Sequence, residues 1–272
     1  MAGNRTDLHR FARMVRTGET GTPSGPTRLG VDLGTGNIVL AAVDGSNRPL
    51  AGASVRSTVV RDGVVTDWLG AVKAVKKLKG TLEESLGIRF TDAAVAVPPG
   101  IDAATVKIFT NVIEAAGLES GEVVDEPVAA ATALGVSTGA VIDIGHGTTG
   151  VSVLRDGVVE LSDDEATGGQ HMSLVIAGAL GMDFDTAEKF KRKTANAHIV
   201  FGLIRPTIEK MATIAARVLD GQPDLPIHLV GGASSLPGTA EVFAEVLGRP
   251  VTQAPDPLYP TPLGTAMRRT HA

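Results

Sequence analysis

Residues 28–45, RLGVDLGTGNIVLAAVDG, set two apolar runs on either side of a glycine turn, and Asp44-Gly45 closes the second run. This pattern predicts a strand, a tight turn and a second strand. VVRDGVVTDW (59–68) repeats it on a smaller scale around Asp62-Gly63. Val72, Val75, Leu78, Leu82 and Leu86 then recur every three or four residues, the spacing of one helical face. DAAVAVPPG (92–100) is continuously apolar and reads as a buried strand; ATVKIFTNVIEAAG (104–117) reads as a helix stopped by Gly117. In VVDEPVAAATALG (123–135) a strand ends at Asp125 and Glu126, and a helix opens with Pro127 in its first turn.

The pattern then restarts. AVIDIGHGTTGVSVLRDGVVELS (140–162) repeats the first hairpin, including an Asp-Gly second turn at Asp156-Gly157. A helix over about 169–180 follows, then DTAEKFKR, a long helix around RPTIEKMATIAARVLD, and the apolar strand IHLVGGASSLPG with its glycine pair. GTAEVFAEVLG and PLYPTPLGTAMRR supply two more helices. The order predicts an α/β protein of two similar lobes: lobe I over 28–138 plus 254–272, lobe II over 139–253, with the last helix returning to lobe I. Ahead of them, Leu8, Phe11, Ala12 and Val15 sit at helical spacing before GETGTPSGPT. Residues 1–27 therefore read as a flexible segment with a short amphipathic helix, docked weakly on its own body or offered to a partner groove.

With 272 residues, 43% hydrophobic and 20% charged, the chain can bury a substantial core, built from aliphatic side chains because only 3% are aromatic. A net charge of -5 and a single Trp and Tyr argue against a nucleic-acid surface. The absence of cysteine rules out a disulfide framework and fits a reducing cytosol. No apolar run approaches the roughly 18 residues of a membrane span, and the N-terminus lacks the apolar stretch of a secretory signal. A soluble, cytoplasmic protein is expected, with neither nucleic acid nor membrane as partner.

The two glycine turns carry the candidate chemistry. Backbone N–H groups in such a turn can converge on a phosphate. A strand rather than a helix follows each turn, so neither is a P-loop or a dinucleotide fingerprint. Facing each other, the turns would present Asp32 and Asp143 to Mg²⁺ through its waters. The hydroxyls of Thr35, Thr148 and Thr149 would face the phosphates. Glu126, at a strand-to-helix junction, would orient a water for in-line attack, and Gly231-Gly232 would let the backbone approach adenosine.

These motifs, in the order VDLGTGN, DEPVAAATALG, IDIGHGTTG, LVGGASSLPG and TPLGTAM, resemble the actin, sugar-kinase and heat-shock-chaperone superfamily of two-lobed ATPases. Within it the chain is most similar to the EutJ family of ethanolamine-utilisation proteins, through VVRDGVVTDWLGAV, DEATGGQHMSLVIAGAL, RPTIEKMATIAARVL and TPLGTAM. The resemblance implies a compact actin-like fold of duplicated ribonuclease-H-like lobes without a peptide-binding domain. It implies ATP and Mg as cofactors, slow hydrolysis, and a chaperone-like role beside a bacterial microcompartment. A microcompartment enzyme such as an ammonia lyase, or a shell protein, would be the partner. Glu126 and Asp143 are then the catalytic candidates and Asp32 with Asp143 the water-mediated metal acids. Gly34, Thr35, Gly36, Asn37, Gly145, His146, Gly147, Thr148, Thr149, Gly169, Glu209, Gly231, Gly232 and Ala233 form the nucleotide set. Three departures from the chaperone pattern stand out: His146 replaces a glycine, Gly36 replaces a hydroxyl, and no lysine matches the one those chaperones carry in an inserted subdomain. A nucleotide-gated docking module without turnover, a small-molecule kinase and a filament-former stay open as alternatives.

Overall fold

The computed structural model describes residues 2–222 and 224–268; Met1, Pro223 and the end of the last expected helix, 269–272, lie outside the described residues. The first half runs α1 (Ala2–Thr17), β1 (Arg28–Leu33), β2 (Asn37–Val43), β3 (Pro49–Arg56), β4 (Val60–Arg61), β5 (Val64–Val65), α2 (Trp68–Leu86), β6 (Asp92–Val97), α3 (Ala103–Ala115), β7 (Glu119–Asp125) and α4 (Glu126–Leu134). The second half follows with β8 (Gly139–Ile144), β9 (Thr149–Arg155), β10 (Val158–Glu165), α5 (Gly169–Leu180), α6 (Phe184–Lys191), α7 (Ala197–Val218), β11 (Ile227–Val230), α8 (Thr239–Leu247), β12 (Val251–Gln253) and α9 (Pro260–Met267).

The five larger strands of each half form a sheet, ordered β3-β2-β1-β6-β7 and β10-β9-β8-β11-β12. In each, the first three strands pair antiparallel and the last two add in parallel. The sheets thus match strand for strand, and Asp32 and Asp143 occupy equivalent positions. Each has its own apolar core: Val31, Leu40, Val75, Leu82, Phe109 and Ile113 on one side, Ile142, Val153, Ile176, Ile204, Ile208 and Phe243 on the other. The continuous apolar runs of β6 and β8 arise because both strands are central and covered on two faces.

Helices α4 and α9 cross between the sheets at backbone contact. A Cβ built on Gly264 would lie 1.7 Å from the carbonyl oxygen of Ala129, and one on Gly30 would lie 2.2 Å from the backbone nitrogen of Ala266. Helix α9 is therefore held between β1 and α4 by two glycines that leave it no slack.

Two elements differ from the sequence reading. Helix α7 begins at Ala197, upstream of Arg205, and runs through Pro206. Proline removes one helical hydrogen bond, but the buried stripe of Val200, Ile204, Ile208, Met211 and Ala215 continues across it and holds the helix to the sheet. The N-terminal helix forms, and it is firmly seated: Leu8, Phe11 and Ala12 are wholly buried with Val39, Ala41, Val43, Ala133 and Leu263. Phe11 meets Tyr259 edge-on at 5.7 Å, and His9 and Arg16 reach Asp256 at 2.7 and 3.0 Å. Gly52 makes room for Phe11 and Val15, which a Cβ there would meet at 2.6 and 2.4 Å. The Gly/Pro/Ser linker is pinned too, with Gly21 N donating to Leu50 O at 2.6 Å and Gly45 N donating to Ser24 O at 3.2 Å.

Candidate functional site

The β1–β2 and β8–β9 turns meet head to head. Each places its middle side chain over the second glycine of the other. A Cβ on Gly147 would fall 2.7 Å from Thr35 Oγ1, and one on Gly36 would fall 3.0 Å from His146 Cβ. These glycines are required for close approach rather than for left-handed backbone, since Gly34, Gly36, Gly145, Gly147 and His146 all keep φ outside the positive region. His146 therefore takes the place of a glycine without left-handed strain. Its ring packs edge-on to Phe184 at 6.5 Å, and burial lowers its pKa, so it stays neutral at pH 7.

Between the turns and the crossing of α4 and α9 lies a cleft of about 320 Å³. Asp32, Glu126 and Asp143 line its floor. Glu126 is the first residue of α4 and is followed by Pro127, which suits a helix start. Asp143 is buried and accepts a 2.6 Å hydrogen bond from Thr261 Oγ1 on α9. Burial, with the neighbouring Asp143 adding to it, pushes Asp32 up to about 7; burial pushes Asp143 up to about 6 against the Thr261 bond. Glu126 is raised well above its ordinary value, first by burial and then by Asp32, Asp143 and Asp164.

The cations lining the cleft are Lys191 and Arg192, and both pair with Glu188 instead of the floor acids. Lys191 Nζ also donates to Gly169 O at 2.6 Å and Ser173 Oγ at 2.8 Å. Among the described residues the floor acids thus have no positive partner of their own, a donor set that fits a cation. Among the described residues no group of three His, Asp or Glu side chains converges tightly enough to hold a metal directly. A hydrated Mg²⁺, which keeps several of its waters, does not need three side chains as direct ligands.

Gly231 and Gly232 shape the wall beside Asp143. Gly231 has φ +89, and a Cβ there would lie 2.3 Å from Asp143 Oδ1, so both conformation and space demand glycine. The mouth is bridged between the sheets by Arg56 with Glu188 at 3.8 Å, and by the Gln170 side-chain amide donating to Asp62.

Of the residues singled out in the sequence, Asp32, Gly34, Thr35, Gly36, Asn37, Glu126, Asp143, Gly145, His146, Gly147, Thr148, Gly169, Gly231, Gly232 and Ala233 all line this one cleft. Two do not. Thr149 is fully buried and donates to Thr167 O at 2.6 Å, and Glu209 pairs with Arg205 on the outer side of α7. The sequence reading missed Glu188, Lys191 and Arg192, three charged residues at one helix end, and Thr261, which holds Asp143.

A family model described as Hsp70 protein matches residues 66–212. The ethanolamine utilization protein EutJ of Salmonella typhimurium is 43% identical over 242 residues, covering 89% of this chain and 85% of its own length. The chain belongs to the EutJ family of ethanolamine-utilisation proteins. The crystal structure of EutJ from Carboxydothermus hydrogenoformans superposes with a TM-score of 0.92 at 40% identity, covering 98% of each chain. MreB 5 of Spiroplasma citri bound to AMPPNP gives 0.71 at 17% identity, covering 90% of this chain and 96% of its own, a likeness of fold alone. The two-lobed actin-like fold expected from the motifs is therefore the fold of this EutJ-family chain.

Its floor acids have a measurable signature. Between pH 3.8 and about 6 the unfolded chain has released the Asp143 proton that the folded chain still holds, so ligand-free stability falls as pH rises through that window. Asp143→Asn removes this titration while keeping an oxygen for Thr261. Thermal melts from pH 5 to 7.5 should show a flatter profile for the variant and a gain of about 3 kcal/mol over wild type at the upper end. Parallel profiles would remove Asp143 from the cluster.

Proposed function

We propose that this chain binds Mg-ATP in the cleft, hydrolyses it slowly, and uses lobe closure to change a surface read by a partner in ethanolamine utilisation. The observation that carries the reading is the floor of Asp32, Glu126 and Asp143, raised in pKa and without a cation of their own. Mg²⁺, when bound, would neutralise phosphate charge there. Asp32 and Asp143 would hold its waters. The amides and hydroxyls of the two turns would take the phosphates, with Thr35 and Thr148 at the cleft face. Glu126 would orient the attacking water and accept its proton. Glu188, Lys191, Gly231 and Gly232 would lie along the nucleoside. The moving bodies would be 28–138 with 254–272, and 139–253, the first carrying the N-terminal segment. The partner would be a microcompartment enzyme such as an ammonia lyase, or a shell protein, met in the cytoplasm.

Calorimetric titration of ATP with and without Mg²⁺ tests this. Binding that needs Mg²⁺, releases protons near pH 6.5 and tightens toward pH 8 is expected, because the metal must displace protons from the raised acids. No binding of Mg-ATP by the wild type would refute the proposal. A second reading, nucleotide-gated docking without turnover, is favoured by Glu126 itself: burial and the neighbouring acids raise its carboxyl well above the ordinary range, and its protonated form takes no proton from water. Binding with no phosphate release would select it.

A further inference from the structure

Asp164 is an acid for which neither the motifs nor the cleft floor account. It lies on β10 opposite Gly150 of β9. Burial raises its carboxyl to about 7, against the lowering effect of the side chain of Thr148, which lines the cleft in the second glycine turn. Its Oδ1 is buried with no hydrogen-bond partner among the described residues. A carboxylate with a structural job looks different in this chain: Asp44 accepts from Ser46 N, Arg48 N and Arg48 Nε at 2.8, 2.9 and 3.1 Å. An orphaned carboxylate oxygen costs free energy, and such groups are rare unless a ligand, water or function uses them.

Position says what that use is. A Cβ on Gly150 would lie 3.2 Å from Asp164 Oδ1, 3.2 Å from Pro127 Cγ and 3.3 Å from Pro99 Cδ. Glycine at 150 thus lets β9 and β10 of one lobe close onto the head of α4 and the β6–α3 turn of the other, and carries Asp164 into the seam beside Glu126. Ser162 Oγ, two residues before Asp164, donates to Asp125 Oδ2 at 2.8 Å and lies 2.6 Å from Ser152 Oγ, tying the same seam together. The field of Asp164 acts on Glu126 and that of Asp143 on Asp164.

We propose that Asp164 is a positioning residue for hydrolysis: packed into the seam at Gly150 beside the head of α4, it fixes the Thr148 hydroxyl at the phosphate end and, in its ionised form, faces Glu126 as the water gives up its proton. The inference rests on the Mg-ATP reading above. In the step it serves, the water oxygen bonds to the terminal phosphorus and the bond from phosphorus to the bridging oxygen breaks. The electron pair leaves on ADP, and the water proton passes to Glu126 while Asp164 exchanges none.

The test compares wild type with Asp164→Asn, which keeps an oxygen for Thr148 but loses the charge, and Asp164→Ala, which loses both. Calorimetry with Mg-AMPPNP, phosphate release, and the titration of a carbon-13-labelled Glu126 carboxyl in the ligand-free protein are the readouts. Asp164→Asn should leave affinity within about threefold, lower turnover about tenfold or more, and shift the Glu126 midpoint down by about one pH unit. Asp164→Ala should lower turnover further. Unchanged turnover with an unmoved midpoint in both variants would overturn the inference while leaving the Mg-ATP reading standing. Should wild type bind without turnover, there is no hydrolysis for Asp164 to serve and the inference falls, while Mg-ATP binding still stands. If wild type does not bind Mg-AMPPNP, the Mg-ATP reading falls, and this inference falls with it.

Discussion

Glu126→Gln is expected to leave Mg-ATP binding within a few-fold of wild type and to lower phosphate release by about 10²-fold or more. Glutamine keeps the length and shape of the side chain at the first position of α4, so the helix start and the crossing with α9 survive. What it loses is the capacity to take a proton from water. Single-turnover hydrolysis alongside calorimetry checks the split. Equal losses in affinity and rate would make Glu126 a binding group instead. The pH dependence adds a second reading: the wild-type rate should rise from acid toward alkaline pH, because burial and four neighbouring acids raise the Glu126 carboxyl well above its ordinary range. In the variant that limb should vanish.

Gly264→Ala should be the most damaging small substitution in the chain. One methyl group placed 1.7 Å from the Ala129 carbonyl oxygen and 2.5 Å from its carbon meets backbone, which cannot rotate away. Helix α9 cannot retreat toward β1 either, because Gly30 already lets Ala266 approach to contact there. The helices must separate, at a cost of about 3 kcal/mol or more, which for a chain of this size lowers the melting temperature by roughly 6–12 °C. Nucleotide binding should weaken with it, since Thr261 on the same helix holds Asp143. Gly80→Ala is the control. It lies in α2 with nothing within 4 Å of the new methyl, and should gain up to about 1 kcal/mol from helix propensity. Similar melting temperatures for the two variants would show that the crossing is not as tight as described.

The parts legible in the sequence are those where one residue type had one physical reason to be present. The doubled hairpin announced itself because apolar runs, an aspartate and glycines recur in the same order, and the two sheets match strand for strand. The glycines were found for an incomplete reason. Their positions suggested turns whose N–H groups converge on a phosphate, whereas Gly36 and Gly147 also serve contact between two loops far apart in sequence, which no local pattern encodes. Glu188, Lys191 and Arg192 looked like a solvated helix end, the ordinary fate of charges at i and i+3 or i+4. They enter the cleft because Ser173 and the Gly169 carbonyl on α5 give Lys191 buried partners. Asp164 hid in SDDE, which reads as the polar end of an edge strand. Glu209 went the other way: an acid in a motif-bearing segment that the winding of α7 turns outward, toward Arg205.

Helix α1 constrains how this protein can be addressed to a large assembly. A short amphipathic helix at the head of a chain is suited to act as a sorting label, provided its apolar side is free to be recognised. Here that side is closed off by the body, with Leu8, Phe11 and Ala12 fully covered. Uncovering them would cost several kcal/mol, at roughly 1.5–3 kcal/mol for each large apolar side chain. A receptor for this helix would bind only the rare molecules that have let it go, so its apparent affinity would drop by the same penalty. The label and the lid of its own sheet would be one object, and an assembly that captured the helix would also loosen the strands beside the cleft.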